Sequence, residues 1–165
     1  MQIDWYRATL GDVPDIVALS KQYFEAEVDD VFCTDARVLE QNLAQAVLQQ
    51  HYNPWSSCVM LARDPQHCIQ AYTWLARGEH AVWSADEMAV VRMVHVRMDA
   101  STRQRVQIIK QMIDFWEVWA RECSVPVICS TTMRHDQSGF LRLHERHGYS
   151  VRGSIAYKRL GAHNV

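Results

Sequence analysis

Met93 to Glu122 reads MVHVRMDASTRQRVQIIKQMIDFWEVWARE, and the change of period inside it decides the fold. Its first residues are apolar, as in a buried strand. A short polar loop with arginines follows. Val106, Ile109, Ile113, Trp116 and Ala120 then recur at helical spacing, widened by Met112 and Trp119, which predicts an amphipathic helix. Where a strand feeds a helix start, unpaired backbone N–H groups and the helix dipole both face an anion. The segment is therefore a candidate phosphate site.

The chain of 165 residues suits one domain, 1–165, able to bury roughly 70% of its unfolded surface. Apolar residues make up 48% and charged residues 22%, an ordinary balance for a soluble globular protein. The net charge of −2 argues against binding nucleic acid through overall electrostatics, and Asp29-Asp30 and Asp86-Glu87 offset Arg92, Arg97, Arg103 and Arg105. No apolar run approaches about 18 residues, and no charged start leads into an apolar segment, so neither a membrane span nor a signal peptide is expected. The five cysteines, Cys33, Cys58, Cys68, Cys123 and Cys129, include no CxxC pair. They read as reduced thiols of a cytoplasmic protein, with no metal site.

Working outward, Asp4 to Ala8 suits a first strand. Asp12 is placed to cap a helix with Pro14 in its first turn and Ile16, Leu19 and Tyr23 on one face. Asp35 is placed to cap a second, with Val38, Leu39, Leu43, Ala46 and Val47 in a stripe and a stop before Pro54. Ser57 to Ala62 and Cys68 to Ala76 read as strands joined by Asp64-Pro65-Gln66, and Met88 to Met98 as the next. After the long helix, Val125 to Ser130 reads as a short buried strand. Asp136 or Ser138 starts a last helix, Gly148 ends it, and Val151 to Leu160 reads as a closing strand.

The order is thus β-α-α-β-β-β-α-β-α-β. That order, the long helix ending in Trp119-Ala120-Arg121-Glu122, and Phe140 to Tyr149 (FLRLHERHGY) together resemble the GCN5-related N-acetyltransferases, the GNAT superfamily, over nearly the whole chain. The resemblance implies an α/β fold with a mixed central sheet, strands 4 and 5 splayed apart, and helices on both faces. It implies acyl transfer from acetyl-coenzyme A to an amine of a small molecule or a protein, and a homodimer or other assembly as an open choice.

The resemblance also implies site residues. The cofactor would lie against Val96, Arg97 and Met98 at the end of the fourth strand. Its pyrophosphate would meet Arg103, Gln104, Arg105, Val106, Gln107, Ile108 and Ile109. The family writes that loop Gln/Arg-x-x-Gly-x-Gly/Ala, because glycine lets N–H groups approach phosphates without a Cβ in the way. Counting from Trp119 puts Gln104 at the first position and Gln107 and Ile109 at the glycines; a shift by one gives Arg103, Val106 and Ile108. Both glycines are replaced either way, which counts against acetyl-coenzyme A unless Arg103, Arg105 and Lys110 contact the phosphates. His144 occupies the position of the family's tyrosine acid, with Tyr149 and Tyr157 as fallbacks. Glu87 stands where relatives place a base. Cys129 and Ser130 end the fifth strand at the expected splay.

Two readings stay open. One is an acetyl-coenzyme A-dependent N-acyltransferase with an atypical phosphate loop. The other is a catalytically silent GNAT-fold binding or structural module, such as a phage virion-associated or host-interaction protein, with Trp55, Trp74 and Trp83 as candidates for an apolar docking patch.

Overall fold

The computed structural model describes residues 3–28, 31–133 and 137–153, with backbone alone at 25–27. Strand β1 (Asp4–Arg7) leads through a 3-10 turn, Leu10–Asp12, into α1 (Val13–Glu27) and α2 (Ala36–Tyr52). Three strands follow, β2 (Ser57–Arg63), β3 (Ile69–His80) and β4 (Glu87–Val96). Then come α3 (Thr102–Glu122), β5 (Val127–Ser130) and α4 (Ser138–Arg146). The expected closing strand lies outside the described residues from 154 onward, as does Tyr157; Asp136 lies outside them too.

The sheet runs β1-β2-β3-β4-β5, antiparallel through β4 and parallel between β4 and β5. Both faces are covered, so β2 is buried from Ser57 to Ala62 and shows no polar alternation. Its Cys58, Met60 and Ala62 pack toward α3, while Val59 and Leu61 pack toward α1 and α2.

Three expectations are corrected in detail. The α3 face that meets the sheet is Ile108, Met112, Ile113, Trp116, Trp119 and Ala120, while Val106 is 43% exposed. Several apolar side chains straddle two neighbouring helical rows, and packing selects the row carrying both tryptophans. Val38 in α2 is likewise 52% exposed, and the buried α2 positions are Leu43, Ala46, Val47 and Gln50. Asp12 does stand at the α1 N-cap, but its carboxylate turns back to accept from the Thr9 N–H (2.9 Å) and hydroxyl (2.8 Å) and from Arg63 Nη2 (3.0 Å). Asp35 caps α2 as expected, accepting from the Arg37 N–H at 2.8 Å.

Gln50 closes the end of the β1–β2 ladder from a helix. Its amide donates to the Ala8 carbonyl, and its carbonyl accepts from the Val59 N–H, both at 2.8 Å. Buried backbone groups that would otherwise lack partners are satisfied this way.

In β4, Trp74 pairs with Met93 and Leu75 with Val91, so Arg92 is an extra residue, a bulge. Before it Ala89 and Val91 face α3; after it Val94 and Val96 do, while Met93 packs with the α1–α2 side.

Candidate active site

The β4–β5 ladder is four pairs long, from Met88 with Val127 to Val91 with Ser130, and ends one residue before the bulge. From Met93 to Val96, β4 keeps its β3 partner and has no β5 partner among the described residues. The two strands therefore enclose a V with Ser130 at its apex, opening toward the end of β4 that leads into α3. A strand edge of this kind presents backbone donors and acceptors to an extended ligand. The open edge is braced from behind: Trp116 Nε1 donates to Thr73 Oγ1 (3.0 Å), which donates to the Met93 carbonyl (3.1 Å).

At the mouth of the V, Arg97 donates to Asp99 through Nε at 2.9 Å and is thereby committed to a neighbour. The Arg97 N–H bonds the Gln70 carbonyl, and the Met98 N–H bonds the Tyr23 hydroxyl, both at 2.9 Å. Helix α3 starts at Thr102 and closes its own N-terminus. Ser101 Oγ accepts from the Gln104 N–H (3.3 Å), and Gln104 Oε1 accepts from the Ser101 N–H (2.9 Å). The Arg105 N–H is the first to bond in the helical pattern, to the Ser101 carbonyl at 2.9 Å.

Consequently Gln104, Arg105, Val106, Gln107, Ile108 and Ile109 lie in the first two turns, not in a loop. From Arg105 on, their backbone N–H groups are spent inside the helix. Ile108 is a core residue. The groups left open are the N–H donors of Thr102 and Arg103, which have no acceptor among the described residues. Arg103 is exposed and Arg105 half-buried, and neither makes an ion pair among the described residues. The sequence carried the signal for this start: Ser101-x-x-Gln104 is a capping-box pattern.

On the other arm of the V, α4 presents His144 inward. It is 3% exposed, although its neighbours on the helix end are charged. Nδ1 lies 2.9 Å from the Phe140 carbonyl and Nε2 3.1 Å from Ser130 Oγ. Its ring contacts Phe140, Trp116 and Tyr149. Burial pushes the imidazole below its usual pKa, against the Phe140 carbonyl, which raises it. Gly148 at φ +82° reverses the chain after α4, so the Tyr149 N–H returns to the His144 carbonyl at 3.1 Å.

Tyr149 is half-buried and borders a groove of about 470 Å³ with Glu117, Arg121, Pro126 and His147. Its hydroxyl is buried without a hydrogen-bond partner among the described residues, and burial pushes it up to about 12. Glu87 begins β4 at the closed end of the V. Arg77 grips it with Nε (2.6 Å) and Nη2, holding the carboxyl below its usual range. The structure does not bring Glu87 to the apex beside His144.

The tryptophans do not form one patch. Trp74 packs against the α1–α2 side with Nε1 on Ser57 Oγ (3.1 Å), and Trp83 is 89% exposed in the β3–β4 connection. Of the two residues that end β5, Ser130 meets His144, and Cys129 alternates to the other face.

No protein-family model matches the sequence, and no curated protein sequence matches it. Solved structures do match. An aminoglycoside antibiotic 6'-N-acetyltransferase from Acinetobacter baumannii aligns over 98% of this chain and 100% of its own, at 15% identity and a TM-score of 0.70. A protein described as a predicted acetyltransferase from Clostridium acetobutylicum, solved with acetyl-CoA, aligns over 96% of both chains at 11% identity and a TM-score of 0.74. A glucosamine-6-phosphate N-acetyltransferase from Arabidopsis thaliana aligns over 98% of this chain and 100% of its own, at 10% identity and a TM-score of 0.69. At these identities the likeness establishes the fold: the chain has the GNAT acetyltransferase fold.

Proposed function

We propose that the protein is an acetyl-coenzyme A-dependent N-acyltransferase. One observation carries the reading: the β4–β5 ladder ends at Val91 and Ser130, and the cleft it opens runs toward the two open N–H donors of α3. The residues present fit the cofactor. The Thr102 and Arg103 N–H groups suit the pyrophosphate, with the Arg103 and Arg105 guanidiniums free to add charge-assisted bonds. The edge of β4 beyond Val91, where the β5 ladder has ended, suits the amides of the pantetheine arm. Acetyl-coenzyme A would supply an activated thioester for attack by an amine.

The chain's own residues then have separable tasks. Trp116 and Thr73 hold the Met93 carbonyl, and with it the open edge, in place. Phe140, Trp116 and Tyr149 keep water from the His144 ring. The acceptor is an amine whose wider chemistry the cleft residues do not specify.

Calorimetric titration of the purified protein with acetyl-coenzyme A tests this, with an Arg103→Ala/Arg105→Ala variant alongside. The expected result is micromolar binding that weakens about tenfold or more in the variant. Absence of binding up to about 1 mM by folded protein would overturn the reading.

A further inference from the structure

We propose that Ser130 and His144 form a proton shuttle at the apex of the β4–β5 cleft, the serine hydroxyl meeting the reactants and the imidazole holding the proton between the two halves of acyl transfer. The inference rests on the acyltransferase reading above and gives that site its acid and base.

Geometry fixes the direction of proton flow. A backbone carbonyl only accepts, so the 2.9 Å contact from His144 Nδ1 to the Phe140 oxygen requires the hydrogen on Nδ1. In the neutral ring Nε2 is then a bare acceptor, and the 3.1 Å contact is a bond donated by the Ser130 hydroxyl. An imidazole in this tautomer must take a proton before it gives one. His144 therefore begins as a base, the reverse of the role its sequence position implies.

The step balances. As the amine nitrogen bonds the acyl carbon, its proton passes to Ser130 Oγ while the serine proton moves to His144 Nε2. As the carbon–sulfur bond breaks, His144 returns that proton to Ser130, and the serine hydroxyl protonates the departing thiolate. The net change is one N–H exchanged for one S–H, with the dyad restored.

The neighbours support a transient proton, not a resident one. Around the ring are Trp116 from α3, Ser130 from β5, Phe140 from α4 and Tyr149 beyond it, with His147 at the α4 C-cap acting electrostatically. None is a carboxylate, so among the described residues an imidazolium here has no counter-ion beside it and releases its proton readily. The other candidate groups are committed elsewhere. Arg77 holds Glu87, and the Tyr149 hydroxyl has no hydrogen-bond partner among the described residues to relay through.

Nitrogen NMR of histidine-labelled protein, ligand-free and titrated with free coenzyme A, tests the shuttle without an acceptor. Ligand-free protein should show His144 neutral at pH 7 with hydrogen on Nδ1, and Ser130→Ala should move the Nε2 resonance. Coenzyme A should shift that resonance in wild type and not in Ser130→Ala, while Ser130→Ala binds coenzyme A within about twofold by calorimetry. Hydrogen on Nε2 in the free protein would overturn the shuttle at once. Binding that leaves the His144 signals unmoved would overturn it while the acyltransferase reading stands. No binding at about 1 mM would remove both.

Discussion

Ser101 and Gln104 cap each other at the start of α3, and in doing so they occupy two of the four N–H groups that a helix start offers an anion. The cap stabilises the helix and competes with any phosphate. A substitution there should therefore move stability and affinity in opposite directions. Ser101→Ala should cost about 1 kcal/mol by denaturant unfolding, as lost N-caps do. It should also tighten acetyl-coenzyme A by about threefold, because a charge-assisted bond to the released Gln104 N–H outweighs the neutral one it replaces. Calorimetry on the same preparation decides whether the signs oppose.

Glu87→Gln should leave coenzyme A binding unchanged within about twofold, since Arg77 already holds the carboxylate away from the apex. Its effect should appear in acid. The folded-state pKa of Glu87 lies below the ordinary 4.5, chiefly through its bonds to Arg77. The pair's stabilisation is present above about pH 4.5 and is lost as pH falls through the lowered value. Thermal unfolding from pH 3 to 7 at low salt should show a steeper acid loss in wild type than in the variant.

Thr73→Val keeps the volume and removes the hydroxyl between Trp116 and Met93. The fully buried Trp116 would then hold an N–H with no acceptor. Expected are a loss of about 1–3 kcal/mol in denaturant unfolding and weaker coenzyme A binding, because the β4 edge loses its brace.

Gln50→Leu should cost roughly 2–4 kcal/mol, because the Ala8 carbonyl and the Val59 N–H both lose a buried partner. An unchanged denaturant m-value would place that cost in the native state.

The order of elements was legible because each long element kept one period. Ile16, Leu19 and Tyr23 mark α1, and the apolar run from Ser57 to Ala62 marks a strand covered on both faces. The α3 start carries no glycine pattern, and its boundary is marked by Ser101-x-x-Gln104 instead. His144 stands between Arg142, Glu145 and Arg146, and a single buried position on a short charged helix leaves no periodic trace. The grip of Arg77 on Glu87 spans a hairpin whose register is broken between Ala76 and Glu79, so local spacing did not reveal it. The apex pair of Ser130 and His144 joins β5 to α4 through tertiary packing alone.

The bulge at Arg92 acts as an insertion within an otherwise regular text. Remove that residue, and Ala89, Val91, Val94 and Val96 fall at strict intervals of two, a strand with no reason to part from its neighbour. A protein deleted at Arg92 should fold at least as firmly and bind no coenzyme A, which unfolding and calorimetry would show together. The cleft would then owe its existence to one residue of added length.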